Sequence, residues 1–179
     1  MFKVKDLVVY GNSGVCRITD ITTPDISGIP KEQLYYVLKP IYQDKTVFYA
    51  PVDNPKVFMR PVISQRQANA LIDEIPSIDA EAFCCRSTQE LATHYEEQMQ
   101  KHNCADLLAL TMSLYSKKKS AESQKRKFGQ VDDRFMKRAE ELIFDEFSVA
   151  LGIPKDEVSA YIDARVEAAK KKNAPSAKQ

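Results

Sequence analysis

The chain has 179 residues, 44% of them hydrophobic, with a net charge of +1, enough for one domain or two small ones with ordinary cores. No apolar run approaches the roughly 18 residues of a membrane span, and Met1-Phe2-Lys3-Val4-Lys5-Asp6 lacks the apolar core of a signal peptide, so a cytoplasmic protein is expected. The cysteines, Cys16, Cys84, Cys85 and Cys104, contain no C-x-x-C pair and have only His94 and His102 beside them, so neither a metal site nor a disulfide is assigned.

The first element is Leu7-Val8-Val9-Tyr10, followed by Gly11-Asn12-Ser13-Gly14 and the alternating run from Val15. A Walker loop needs four residues between its glycines and then Gly-Lys-Ser/Thr, so the nucleotide reading fails and a β-hairpin remains. Further β-branched and aromatic blocks run over Val15–Ile21, Leu34–Ile41 and Thr46–Ala50, punctuated by Gly28-Ile29-Pro30, Pro40, Pro51 and Pro55. About five short strands in such a span predict a small, strongly bent barrel of the SH3 or Tudor type. Barrels of this size act by binding. Tyr10, Tyr35, Tyr36, Tyr42, Phe48 and Tyr49 offer either core rings or an aromatic cage for a cationic side chain, and an exposed edge at Thr46–Tyr49 offers a partner's strand a place to pair.

After Pro61 the period becomes helical. Ser64-Gln65-Arg66-Gln67 reads as a capping box opening a helix with Ala68, Leu71, Ile72 and Ile75 to one side, closed by Pro76. Ser87-Thr88-Gln89-Glu90 opens a second through Leu91, His94, Tyr95 and Met99, and Asn103 caps a third with Leu107, Leu110, Met112 and Leu114 as its stripe. A fourth begins near Asp132 and carries Phe135, Ala139, Leu142, Ile143, Phe147 and Ala150; Gly152 ends it, and Pro154 suits the first turn of a fifth. The fold class is therefore α+β: a barrel over residues 1–63, an all-α domain of about five helices over 64–172, and a disordered tail over 173–179.

No nucleophile elbow, H-E-x-x-H or Gly-rich phosphate loop is present, so neither an enzyme nor a cofactor is expected. His94 and His102 lie on one predicted helix and read as solvated. The near-neutral total hides a concentrated block: residues 117–138 carry nine Lys/Arg and three Asp/Glu between acidic flanks. Lys117, Lys118, Lys119, Lys125, Arg126 and Lys127 flank a predicted helix connection, and Arg134, Lys137 and Arg138 follow on the next helix. Such a corner suits a phosphate backbone, with a merely solvated face as the alternative.

Phe2-Lys3-Val4-x-Asp6-x-Val8-Val9-Tyr10, Gly14-Val15, Tyr35-Tyr36-Val37-Leu38-Lys39, Val47 to Asn54 and Met59-Arg60-Pro61-Val62 together resemble the CarD/CdnL family of bacterial transcription regulators. A looser match continues through Tyr95, Met99, Asp106-Leu107 and Arg134 to Ala139. The resemblance implies a Tudor-like domain that binds the β subunit of RNA polymerase, with Thr46, Val47, Phe48, Tyr49 and Pro51 at the contact, Tyr49 standing where relatives place an arginine. It implies a helical domain that contacts promoter DNA at the upstream edge of the melted region and stabilises the open complex. The transcription-repair coupling factor shares the N-terminal module without these helices, which favours CarD. Relatives insert a tryptophan wedge at the minor groove; this chain has no Trp, and counting back from Tyr95 puts Leu91 there. The expectation is a cytoplasmic, monomeric regulator without cofactor or membrane contact. An aromatic-barrel peptide binder, or an adaptor without DNA contact, is the alternative.

Overall fold

The computed structural model describes residues 1–25, 32–43, 45–53 and 58–173, so Gly28-Ile29-Pro30 and Pro55 lie outside the described residues. The chain divides into two compact units, Met1–Val62 and Ile63–Gln179.

The first unit is one antiparallel sheet of five strands: β1 (Leu7–Tyr10), β2 (Val15–Thr22), β3 (Tyr35–Pro40), β4 (Phe48–Pro51) and β5 (Met59–Pro61), in the order β4-β3-β2-β1-β5. The Gly-Asn-Ser-Gly segment is a tight turn joining β1 to β2. Gly14 sits at φ +81°, ψ −156°, a region only glycine occupies readily. Alternation sends Val8, Cys16, Ile18, Tyr36, Leu38 and Ala50 to a common buried side. The β2–β3 register shifts between Ile18 and Asp20, a bulge that leaves Thr19 exposed, its hydroxyl donating to the Val37 carbonyl at 3.1 Å. Tyr10 and Phe48 pack against the core with their rings 5.5 Å apart, and Tyr35 is buried as well. Four of the six candidate cage rings are therefore structural, with Tyr42 and Tyr49 left exposed.

The second unit holds α1 (Gln65–Glu74), α2 (Thr88–Met99), α3 (Cys104–Ser123), α4 (Gln130–Leu151) and α5 (Val158–Asn173). Ser64 and Gln67 form the full reciprocal capping box of α1. At α2 only half of the expected box forms: Ser87 accepts from the Glu90 N–H, whereas the Glu90 carboxylate accepts from the Cys85 thiol at 2.8 Å. Asn103 caps α3 through the Ala105 N–H. Gly152, at φ +69°, ends α4. Pro154 precedes a short 3-10 turn, Lys155–Glu157, that runs into α5, so it does not itself begin the helix. α5 extends through Asn173, the first residue of the expected tail; the rest of that tail lies outside the described residues. Leu91, Tyr95, Met99, Leu107, Leu110, Leu114, Phe135, Ala139, Leu142, Ile143 and Phe147 are all in one core. No helix among the described residues is long and apolar enough to cross a membrane.

The two histidines do not share a helix. α2 ends at Met99, and His102 follows it at φ +51°. His94 is half-buried, stacked on Phe83 with ring centroids 3.9 Å apart, so it is a packing residue and not a solvated one.

Candidate functional site

In the first unit the candidate contact strand, β4, is an outermost strand of the sheet. Its register on β3 pairs Leu38 with Phe48, Val37 with Tyr49, Tyr36 with Ala50 and Tyr35 with Pro51. The Val52 N–H donates to the Leu34 carbonyl at 2.9 Å, marking Leu34 and Val52 as a hydrogen-bonded pair. Antiparallel pairs alternate, so Ala50 and Phe48 also bond inward to β3, while Tyr49 and Pro51 turn their main-chain groups away from it. Proline is tolerated at an edge because its missing N–H falls on the unpaired side. The side chains sort differently. Val47 is 48% and Tyr49 40% exposed; Phe48 packs on the core, and Thr46 and Pro51 are half-buried.

In the second unit the basic block spans the end of α3, residues 124–129 and the first turns of α4. Lys125 occupies the left-handed region at φ +53°; its N–H donates to Glu122 O and the Arg126 N–H to Ala121 O, at 3.0 and 2.8 Å. That is a Schellman-type helix stop with lysine where glycine is usual. It leaves Lys125, Arg126 and Lys127 exposed beside the exposed Lys119 and the half-exposed Lys118. These cations lie at the carbonyl end of α3, where positive charge is favoured.

Two candidates are corrected. Lys117 faces inward: its ammonium lies 2.8 Å from Asp132 Oδ1, 3.0 Å from the Phe83 carbonyl and 3.3 Å from Tyr95 Oη. An ammonium has three protons, so its donors are engaged within the protein, and the side chains of Lys117 and Asp132 are only 18% and 6% exposed. Tyr95 Oη donates to the same Asp132 oxygen at 2.7 Å; burial, and then the Asp132 carboxylate, push the Tyr95 hydroxyl well above its ordinary range and hold its proton. Leu91, the candidate wedge, is 6% exposed and sits in the helical core, so it has no face to insert between bases. Both burials were written in the spacing: Lys117 continues the stripe Leu107, Leu110, Leu114 by three residues, and Leu91, Tyr95 and Met99 are four apart.

The remaining candidates on α4 have local partners. Lys137 pairs with Asp133 at 2.7 Å and Arg138 with Glu141 at 2.5 Å, while the Arg134 guanidinium lies 4.9 Å from the Phe135 ring centre. These three border an open depression of about 660 Å³ that also has Glu96, Phe135 and Glu141 in its walls, so the field there is mixed in sign. Lys118, Lys119, Lys125, Arg126 and Lys127 are exposed or half-exposed along the end of α3 and the segment after it, with Lys119 also bordering a depression that has Glu140 and Asp163 in its walls. Among the described residues no group of His, Cys, Asp or Glu could hold a metal ion.

Residues 2–63 match the family model of the CarD-like/TRCF RID domain. The chain carries a CarD-like domain. The matched domain is of an RNA polymerase-interacting type, and the match ends one residue beyond the sheet unit. No curated protein matches the chain.

Proposed function

We propose that this protein is a transcription regulator that adds the edge of its CarD-like domain to a strand of the RNA polymerase β subunit and holds promoter DNA beside the melted region through its helical unit. The observation that carries the reading is an outermost strand with outward main-chain groups, Tyr49 exposed upon it, inside a domain of a polymerase-binding family. Strand addition gives affinity through the main chain and specificity through alternate side chains. The DNA contact is charge-led, through Lys118, Lys119, Lys125, Arg126 and Lys127, with Arg134, Lys137 and Arg138 nearby. It employs no inserted wedge, since Leu91 is core and Trp is absent. Tethering to polymerase raises the effective concentration of a weak DNA-binding surface beside one stretch of duplex. Preference for the melted state then shifts the closed-to-open equilibrium by its differential affinity. The peptide-cage alternative is disfavoured because Tyr10, Tyr35, Tyr36 and Phe48 are engaged in the sheet's packing.

The test is the full-length chain against polymerase and a promoter fragment, with Lys118, Lys119, Lys125, Arg126 and Lys127 replaced by Gln. Polymerase capture persists, and the dependence of log affinity for DNA on log salt flattens by up to about 0.9 for each phosphate that the variant no longer neutralises. An unchanged slope would place the DNA surface elsewhere; no capture of the β subunit by the wild type would overturn the reading itself.

A further inference from the structure

The edge of the sheet offers a short and asymmetric landing site. Moving along β4, the outward main-chain groups belong to Tyr49 and then Pro51, with Val47 the next outward position just ahead of the strand. Tyr49 presents both an N–H and a C=O. Pro51 presents a C=O alone, because proline has no amide hydrogen. An added strand can therefore complete a two-bond exchange at Tyr49 but not one residue pair further on. Slipping the alignment by two residues toward Pro51 would set the incoming carbonyl against a ring carbon, leaving a desolvated acceptor unpaired.

We propose that Pro51 is a register stop: it restricts a strand added to β4 to the outward groups at Val47 and Tyr49, and so selects one alignment of the partner. This rests on the strand-addition reading above. The partner is an edge strand whose residue opposite Tyr49 exchanges both main-chain bonds, with an apolar side chain beside the exposed Tyr49 ring and the half-exposed Val37 on the same face. Specificity then comes chiefly from where the ladder ends, and the Tyr49 side chain is a secondary contact. The absence of an arginine at that position is compatible with tight pairing, because the bonds that matter are those of the backbone.

The distinction can be read with two substitutions at one position. Tyr49→Ala removes the ring and keeps the amide. Tyr49→Pro removes ring and amide together, yet sacrifices no bond to β3, since that amide points outward. Full-length variants are titrated against the isolated β-subunit lobe, with thermal unfolding confirming that both fold. Tyr49→Ala should weaken capture by no more than about fivefold, the range of one cross-strand pair, and Tyr49→Pro by at least a further tenfold or so, the range of a buried group left unpaired. In parallel, amide hydrogen exchange of the wild type should show Tyr49 fast when free and slow in the complex, with Ala50 slow in both. The amide introduced by Pro51→Ala should likewise become protected in the complex. An amide at position 51 that stays fast in the complex would overturn the register stop alone, whereas equal capture by Tyr49→Ala and Tyr49→Pro, or a Tyr49 amide unprotected in the complex, would overturn main-chain pairing at Tyr49 and the stop with it. Failure of the wild type to capture the lobe would instead overturn the strand-addition reading.

Discussion

Replacing Lys117 by Met should unfold more of this protein than replacing any of its exposed basic neighbours. The ammonium is held by the Asp132 carboxylate, the Tyr95 hydroxyl and the Phe83 carbonyl, so it ties α2, α3, α4 and the segment before α2 to one point. Methionine keeps most of the apolar stem but leaves Asp132, 6% exposed in its side chain, with the Tyr95 hydroxyl bond and no cation. Removing one member of a buried pair costs about 3–5 kcal/mol. Part of that is relieved if water enters beside the 18%-exposed Lys117 position, which places the expected value toward 3 kcal/mol on the same scale. For a helical unit of this size the midpoint should drop by roughly 10 °C. The assay is thermal and urea unfolding followed by far-ultraviolet circular dichroism, which weights the helical unit, with Lys118→Met as the comparison at an expected change within about 0.5 kcal/mol. The double variant Lys117→Met with Asp132→Asn should recover much of the loss, since a paired substitution leaves no buried charge. If Lys117→Met and Lys118→Met were equally mild, the buried network would contribute nothing measurable and the inward assignment of Lys117 would be refuted.

Leu91→Trp, which a wedge reading would expect to strengthen promoter opening, should instead overpack the core and destabilise the helical unit by about 1–3 kcal/mol, measured by urea denaturation. Lys125→Gly should raise the helical unit's stability by roughly 1 kcal/mol, because the native φ of +53° is strained for a side chain and free for glycine; differential scanning calorimetry would register the gain. Asp145 is raised above the ordinary carboxylate range, first by burial and against the pull of Lys155, with Glu141 adding and Arg138 subtracting. Its folded state therefore holds a proton more readily than the unfolded chain does, so its contribution is present below the ordinary Asp value and is lost as pH rises through the raised one. Asp145→Asn should accordingly gain on wild type at neutral pH relative to about pH 4, as denaturation curves at the two pH values would show.

Local chemistry was the most legible part of the sequence. Ser64 and Gln67 need only each other to form a capping box, and the Gly-Asn-Ser-Gly turn needs only its glycines, so both stand where the spacing puts them. Glu90 shows the limit: its box partner was present, but the Cys85 thiol, five residues back, took the carboxylate. Lys125 adopts left-handed backbone without being glycine and caps α3 where no stop residue was visible, and His102, also left-handed, lies past the end of α2 and not on it. The position of β4 at a sheet edge is a nonlocal fact. Alternation identifies which residues share a face, but which strand lies outermost depends on pairings across the whole unit. The stripe Leu107, Leu110, Leu114 already turns Lys117 inward, but the burial of its charge depends on Asp132, fifteen residues later, arriving at the same point from the start of α4.

That last dependence changes how the basic block has to be tested. Neutralising Lys117 together with its neighbours would lower DNA affinity by two routes at once, loss of exposed charge and loss of the fold that presents it, and equilibrium binding alone cannot separate them. Salt can. A destabilised but otherwise unaltered surface keeps its slope of log affinity against log salt and loses only amplitude, whereas a surface that no longer meets the phosphates has a shallower slope. Under the proposed reading, Lys117→Met should therefore reduce the competent fraction with the slope unchanged, while neutral residues at Lys118, Lys119, Lys125, Arg126 and Lys127 should reduce the slope with the unfolding midpoint nearly unmoved. Lysines adjacent in sequence would then separate into one that holds the helices together and others that meet DNA, and a slope that fell with Lys117→Met at full folding would return that residue to the binding surface.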